Sequence, residues 1–206
     1  MKKIFYHFLI IQLIVLLMLP AILWAAKSPV TIADVNNDEE APAVAYNWLL
    51  DEFLIVWHMD LLGNGDYDIW GRIESADGLA KTPIFKITRD SSAQKYPDVD
   101  YNRIDDEYFV VWQDEREGNL DIIAARIASD GSKIDPDITY KNETDSTIVV
   151  SNNTHDQDRP KVAHNYTDNC YLVVWQDYRD ITESPVFNLD IYSQRLDKNG
   201  EILPPS

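Results

Sequence analysis

The residues best suited to chemistry are acids and arginines that recur at fixed places after a tryptophan. Asp114 and Asp121 flank one short loop, and Asp177 and Asp190 flank another. Arg116 and Arg179 stand two places after the first acid of each pair. Two acids beside one loop could hold an oxygen-ligated cation such as calcium. Their repetition points instead to loop construction, in which the acid accepts backbone N–H groups and the guanidinium bridges to a carboxylate. Asp34-Val-Asn-Asn-Asp-Glu-Glu lacks the glycine of a calcium-binding loop, so no metal and no cofactor is expected, with calcium as the minor alternative. His7, His58, His155 and His164 show no zinc spacing. There is no Gly-x-Ser-x-Gly elbow and no phosphate-binding glycine loop. Acids are so numerous that a pair at glycosidase spacing would arise by chance. No catalytic residues are expected. The unrepeated residues Trp48, Trp70 and His58 are the candidate binding contacts, Trp48 in a turn where it could meet protein, sugar or a lipid headgroup.

The elements that carry these residues come in three copies. Trp57, Trp112 and Trp175 mark the register, at steps of 55 and 63 residues. A period of this size, built from short apolar runs and turn residues, indicates propeller blades or a stacked β-array. Tyr108-Phe-Val-Val-Trp and Tyr171-Leu-Val-Val-Trp read as strands buried on both faces. A short strand after Pro42, Pro97 or Pro160 precedes each, joined by an Asn/Asp turn. A third strand follows over 68–73, 121–127 and 190–196, with Arg72, Arg126 and Arg195 set in register, and ends at Gly78, Gly131 or Gly200. A fourth strand lies between copies, at Ile84-Phe-Lys-Ile-Thr and Ile148-Val-Val-Ser, and Val30-Thr-Ile-Ala matches it ahead of the first copy.

The run Trp112-Gln-Asp-Glu-Arg-Glu-Gly-Asn-Leu-Asp-Ile, with Asp130-Gly131 after it, resembles the repeat of the TolB-type (WD40-like, PD40) β-propellers. Asp114, Arg116, Gly118, Asn119, Ile122, Asp130 and Gly131 match that repeat in the second copy. Asp177, Arg179, Asn188, Ile191 and Tyr192 match it in the third, which carries an insertion over 181–187. The first copy departs, with Met59-Asp60-Leu-Leu-Gly in place of the Asp and Arg. The resemblance implies blade construction rather than an activity. It also implies a ring of six blades, of which this chain supplies three.

Met1-Lys2-Lys3 followed by an apolar stretch from Ile4 to Ala26 is the layout of a secretory signal. Ala25 and Ala26 are the plausible cleavage positions. The same stretch is long enough to span a bilayer of ~30 Å, so a retained anchor touching the membrane through residues 4–26 is the other reading. Both place the rest of the chain outside the cytoplasm, periplasmic or secreted. The chain carries 35 Asp and Glu against 18 Lys and Arg, a net charge of −17, and all the acid follows Ala26. Such a field repels phosphate backbones, so nucleic acid is excluded as a partner. Cys170 is the single cysteine, so no internal disulfide forms; an odd thiol, an intermolecular bridge and a lipid attachment are its readings. Asn142, Asn152 and Asn165 open glycosylation sequons.

The expected architecture is therefore all-β. A hydrophobic helix over 1–26 precedes a repeat domain over 27–206, with blades at about 41–88, 96–151 and 159–206 and an extra fourth strand at 29–34. Three blades cannot close a ring, so half of a six-bladed ring or an open wedge is expected, associated with itself or another protein. The expected function is an exported, non-catalytic binding or assembly module, an accessory or scaffold subunit. The alternative is an extracytoplasmic, glycosidase-like hydrolase whose site forms only in a completed ring.

Overall fold

Each copy folds as a sheet because its apolar runs alternate with turns that only certain residues can make. The computed structural model describes residues 29–35, 38–135, 138–140, 143–145, 147–179 and 189–204; the hydrophobic segment 4–26 and the insertion 181–187 lie outside them. The described residues contain no helix, and so none long and apolar enough to cross a membrane.

The first sheet runs in the order β1 (Glu39–Asn47), β2 (Glu52–Met59), β3 (Asp68–Ser75) and β4 (Phe85–Lys86). The second contains β5 (Gln94–Asn102), β6 (Glu107–Asp114) and β7 (Asp121–Ala128). After a small hairpin, β8 (Ile138–Tyr140) and β9 (Glu143–Asp145), the strand β10 (Ile148–Ser151) joins its outer edge. The third has β11 (Gln157–Asn165), β12 (Cys170–Asp177) and β13 (Asp190–Asp197). All these pairings are antiparallel.

The turns explain the registers. Asn47, Asn102 and Asn165 each accept two backbone N–H bonds from their own turn, such as those of Leu49 and Leu50 at 2.9 and 3.1 Å. The turn closes at Asp51, Asp106 or Asn169, each with φ near +50°, a conformation that Asp and Asn tolerate.

The sheets pack face to face. Tyr108, Val110 and Trp112 of β6 join Leu54, Val56 and Ile69 of the first sheet in one core. Phe109 and Val111 point the other way and join Tyr171, Val173 and Trp175 in a second. All eight residues of β6 are consequently buried, as the unbroken apolar run predicts. Strand β12 departs from that expectation: its face toward the second sheet is buried, while Leu172 on the other is 43% exposed. Trp57, Trp112 and Trp175 occupy equivalent places and are 3, 0 and 4% exposed.

Three expectations are corrected. Residues 29–35 form no strand, although their composition is that of one. Pro42, Pro97 and Pro160 lie inside the first strands rather than before them. Pairing of Trp57 with Trp70, Trp112 with Ile123 and Trp175 with Tyr192 sets Arg72 level with Ala125, one place from Arg126.

Candidate functional site

The three inner strands share an irregularity at one end. Register shifts fall between Glu40 and Ala43, Lys95 and Asp98, and Asp158 and Lys161. Ala41, Tyr96 and Arg159, each just before the proline, have φ of 50, 52 and 53°. A residue before proline prefers an extended backbone, and a non-glycine residue held at positive φ costs ~1–3 kcal/mol. The sequence repeats this strained bulge in every sheet. The bulges converge on a cleft of 520 Å³ lined by Ala41, Tyr96, Arg159 and the three prolines, with Trp175, Gln176 and Ile191 beside them.

Hydrogen bonds between sheets hold the bulges. The Tyr96 N–H donates to His58 Nδ1 at 3.3 Å, and the Arg159 N–H donates to Gln113 Oε1 at 3.2 Å. His58 is buried between the rings of Tyr67 and Tyr96. Burial lowers its pKa, against the opposing pull of Glu40. With Nδ1 accepting, the neutral ring carries its proton on Nε2, which lies 3.6 Å from Glu40 Oε2. Glu40 is level with Asp158: each stands two places before its proline and pairs with the position of His58 or Gln176. Burial raises the Asp158 pKa, its Oδ1 has no hydrogen-bond partner, and its Oδ2 lies 3.9 Å from Arg159 Nε. The first and third sheets thus bring carboxyl groups in different environments to the same end of the inner strands.

The repeated acids build loops, as their recurrence suggests. Trp112 Nε1 donates to Asp114 Oδ2 at 2.9 Å, and Arg116 closes a fork on both oxygens of Asp114 at 2.8 and 2.7 Å. Trp175, Asp177 and Arg179 repeat this unit. Burial alone would raise the Asp177 carboxyl, but Arg179 and Trp175 hold it below the usual range. In the first sheet Met59 replaces the acid, and Trp57 Nε1 is left without a partner. There Asp60 closes the loop by accepting the N–H groups of Leu62, Gly63, Asn64 and Gly65. Asp121 does not join Asp114 in a cation site; it accepts from Asn119 Nδ2 at 3.1 Å, and burial pushes its carboxyl up to about 6. Asp190 pairs across the ladder with Asp177. Among the described residues no group of three or more His, Cys, Asp or Glu could hold a metal ion.

The structure does not bring Trp48, Trp70 and His58 together. Trp48 is 53% exposed in the β1–β2 turn, at the opposite end of β1 from His58. Trp70 is half-buried opposite Trp57, and Lys86 Nζ lies 5.9 Å from its ring. Cys170 is buried. Sequence reasoning missed Glu40, Tyr96, Asp158 and Arg159, whose signal was their shared offset from the three aligned prolines.

No protein-family model and no curated protein matches the sequence. Solved structures do share the fold. A thermostable family-43 glycoside hydrolase superposes with a TM-score of 0.55 at 13% identity, over 84% of this chain and 60% of that one. An N-acetylgalactosamine deacetylase from F. plautii, in complex with blood group B trisaccharide, gives 0.55 at 11%, over 87% and 56%. An alpha-L-arabinofuranosidase from Lactobacillus brevis gives 0.51 at 13%, over 84% and 58%. The chain thus spans less than two thirds of each of these structures. The expectation of a non-catalytic module, and of no enzyme, is corrected by these likenesses: the three structures named above, which share the fold, are a glycoside hydrolase, a deacetylase and an arabinofuranosidase. The chain is an all-β protein of antiparallel, propeller-like sheets.

Proposed function

We propose that this chain forms the blades of an extracytoplasmic glycosidase-like hydrolase, whose site is completed in a closed ring. The observation that carries this reading is the convergence of three strained bulges on one cleft, with Glu40 and Asp158 each the residue just before a bulge residue that lines it. Glycoside hydrolysis needs two carboxyl groups in different protonation states, one to protonate the leaving oxygen and one to act as base or nucleophile. Different environments produce that division. Burial favours the protonated form of Asp158, which suits it to the acid role. Glu40, whose Oε2 lies 3.6 Å from His58 Nε2, takes the base or nucleophile role. Tyr96 lines the cleft with Arg159 over its ring, and Arg159 offers donors for a sugar's hydroxyls. The net charge of −17 disfavours polyanionic glycans, so neutral ones are the substrate class. Incubating the purified protein with neutral polysaccharides and oligosaccharides should release reducing ends, and Glu40→Gln should reduce that release by roughly 100-fold or more. Release unaffected by Glu40→Gln would remove this cleft as the site.

A further inference from the structure

We infer that a second copy of this chain docks head to tail, the outer face of its third sheet meeting the outer face of the first sheet here, so that two chains close one ring. This assembly does not depend on the proposed activity. Its basis is a joint that both internal sheet contacts repeat. At each, a tyrosine of the later sheet meets a glutamate of the earlier one: Tyr108 Oη lies 3.5 Å from Glu52 Oε1, and Tyr171 Oη lies 3.1 Å from Glu107 Oε1. Asn47 Nδ2 donates to Asp106 at 3.2 Å, and Asn102 Nδ2 to Asn169 at 3.1 Å. The N–H before the proline donates to His58 or Gln113. The N–H of Gln94 or Gln157 donates to the carbonyl of Tyr67 or Leu120 at 2.6 or 2.7 Å.

The two outward faces carry the halves of a third such joint. On the third sheet these are Asn165, Cys170, Gln176 and the Leu189 carbonyl; on the first they are Asp51, Phe53 and the N–H groups of Ala41 and Glu39. Every polar half has its counterpart. The tyrosine–glutamate pair alone is changed, and it is changed on both sides at once, to Phe53 and Cys170. A glutamate facing Phe53, or a tyrosine facing Cys170, would bury a polar group without its partner; the coupled loss leaves an apolar pair. This match specifies the third sheet's face for the first sheet's face of another copy. Apolar side chains on the third sheet await cover, with Leu172 43% and Ile191 72% exposed. Within its sheet β13 pairs with β12, and among the described residues its other edge is engaged at the C-terminal end by residues 201–203. The segment Ile32–Val35 lies where it can reach that edge in a partner. The Ile32 carbonyl accepts from Arg72 of β3, as Ile148 of β10 packs at Gly200 after β13. Two copies joined in this way make a closed six-sheet ring with twofold symmetry.

The test is the mass of the purified intact protein in solution, by light scattering and native mass spectrometry, with two variants. Wild type should be a dimer. Cys170→Glu should weaken it by roughly 100-fold, because the carboxylate would be buried against Phe53 without a partner. Adding Phe53→Tyr should restore the dimer by rebuilding the pair used at the internal joints, and that rescue also shows that the single variant did not merely misfold. A wild-type monomer at all concentrations would overturn the inference. So would a Cys170→Glu dimer of unchanged strength, or a double variant no better than the single one.

Discussion

Replacing Trp112 and Trp57 separately by Phe should cost very different amounts, although the two residues are equivalent by position. Both are buried, at 0 and 3% exposure, and both sit in a sheet between neighbours of similar apolar character. Trp→Phe removes the same volume at each, so the cavity contribution is shared. The indole N–H differs. At Trp112 it donates to the buried carboxylate of Asp114 at 2.9 Å, and a bond to a charged acceptor is worth ~1.5–3 kcal/mol. Arg116 keeps Asp114 in place through its own fork, so the acceptor cannot swing to a new donor. At Trp57 the N–H is buried without a partner, and its removal relieves a desolvation cost of ~1 kcal/mol or more. Trp112→Phe should therefore be the more destabilising by ~2–4 kcal/mol, which for a domain of this size lowers its Tm by roughly 5–12 °C relative to Trp57→Phe. Urea unfolding followed by far-ultraviolet circular dichroism reads the difference without depending on tryptophan fluorescence. Equal costs, within about 0.5 kcal/mol, would refute the assignment of Trp–Asp–Arg as a unit that stabilises its sheet.

Two further outcomes follow from single sites. Burial puts the folded-state pKa of Asp121 at about 6, above its unfolded value, so ionisation destabilises the fold increasingly as pH rises from about 4 through 6. Asp121→Asn should thus stabilise the protein by ~1–3 kcal/mol at pH 8 and by nothing near pH 3, in urea melts at the two pH values; a benefit independent of pH would contradict this. Gly78 and Gly200 share φ near +82°, but an added Cβ meets nothing within 4 Å at Gly78 and collides with Ile148 at Gly200. Gly78→Ala should cost ~1 kcal/mol and Gly200→Ala at least ~1 kcal/mol more, and equal thermal shifts would show that β10 does not pack there.

The repeat was legible because each of its parts has one local cause. Tyr108 to Trp112 could only be a strand buried on both faces, and Asn102 with Asp106 could only be its preceding turn. The Asp114–Arg116 pair was readable as loop construction because it recurs. What failed was whatever depends on neighbours outside the repeat. Val30 to Ala33 has the composition of a strand yet forms none, since β-propensity is realised only through packing and pairing. Leu172 holds the place of Phe109 in its own run, yet it is exposed because no described sheet packs on that face. The candidate site was hidden for another reason. A positive φ at Tyr96 or Arg159 runs against the preference of a residue before proline, so local rules place those residues in extended strand and miss the bulge. Reading a catalytic set as something that must break the repeat also diverted attention from Glu40 and Asp158, which hold one repeated position. His58 was noticed as an unrepeated residue, but its work is to accept the backbone N–H of the next sheet's bulge.

The most direct test of this account is the pH dependence of glycan hydrolysis by the purified protein and by Asp158→Asn. The account predicts a bell-shaped kcat/KM for the wild type, with the limb at higher pH set by Asp158, whose burial raises its pKa above that of an ordinary carboxyl. In Asp158→Asn that limb should vanish and the rate should fall by roughly 100-fold or more, while unfolding in urea is unchanged to within about 1 kcal/mol. A wild-type profile and rate retained in Asp158→Asn would contradict the account.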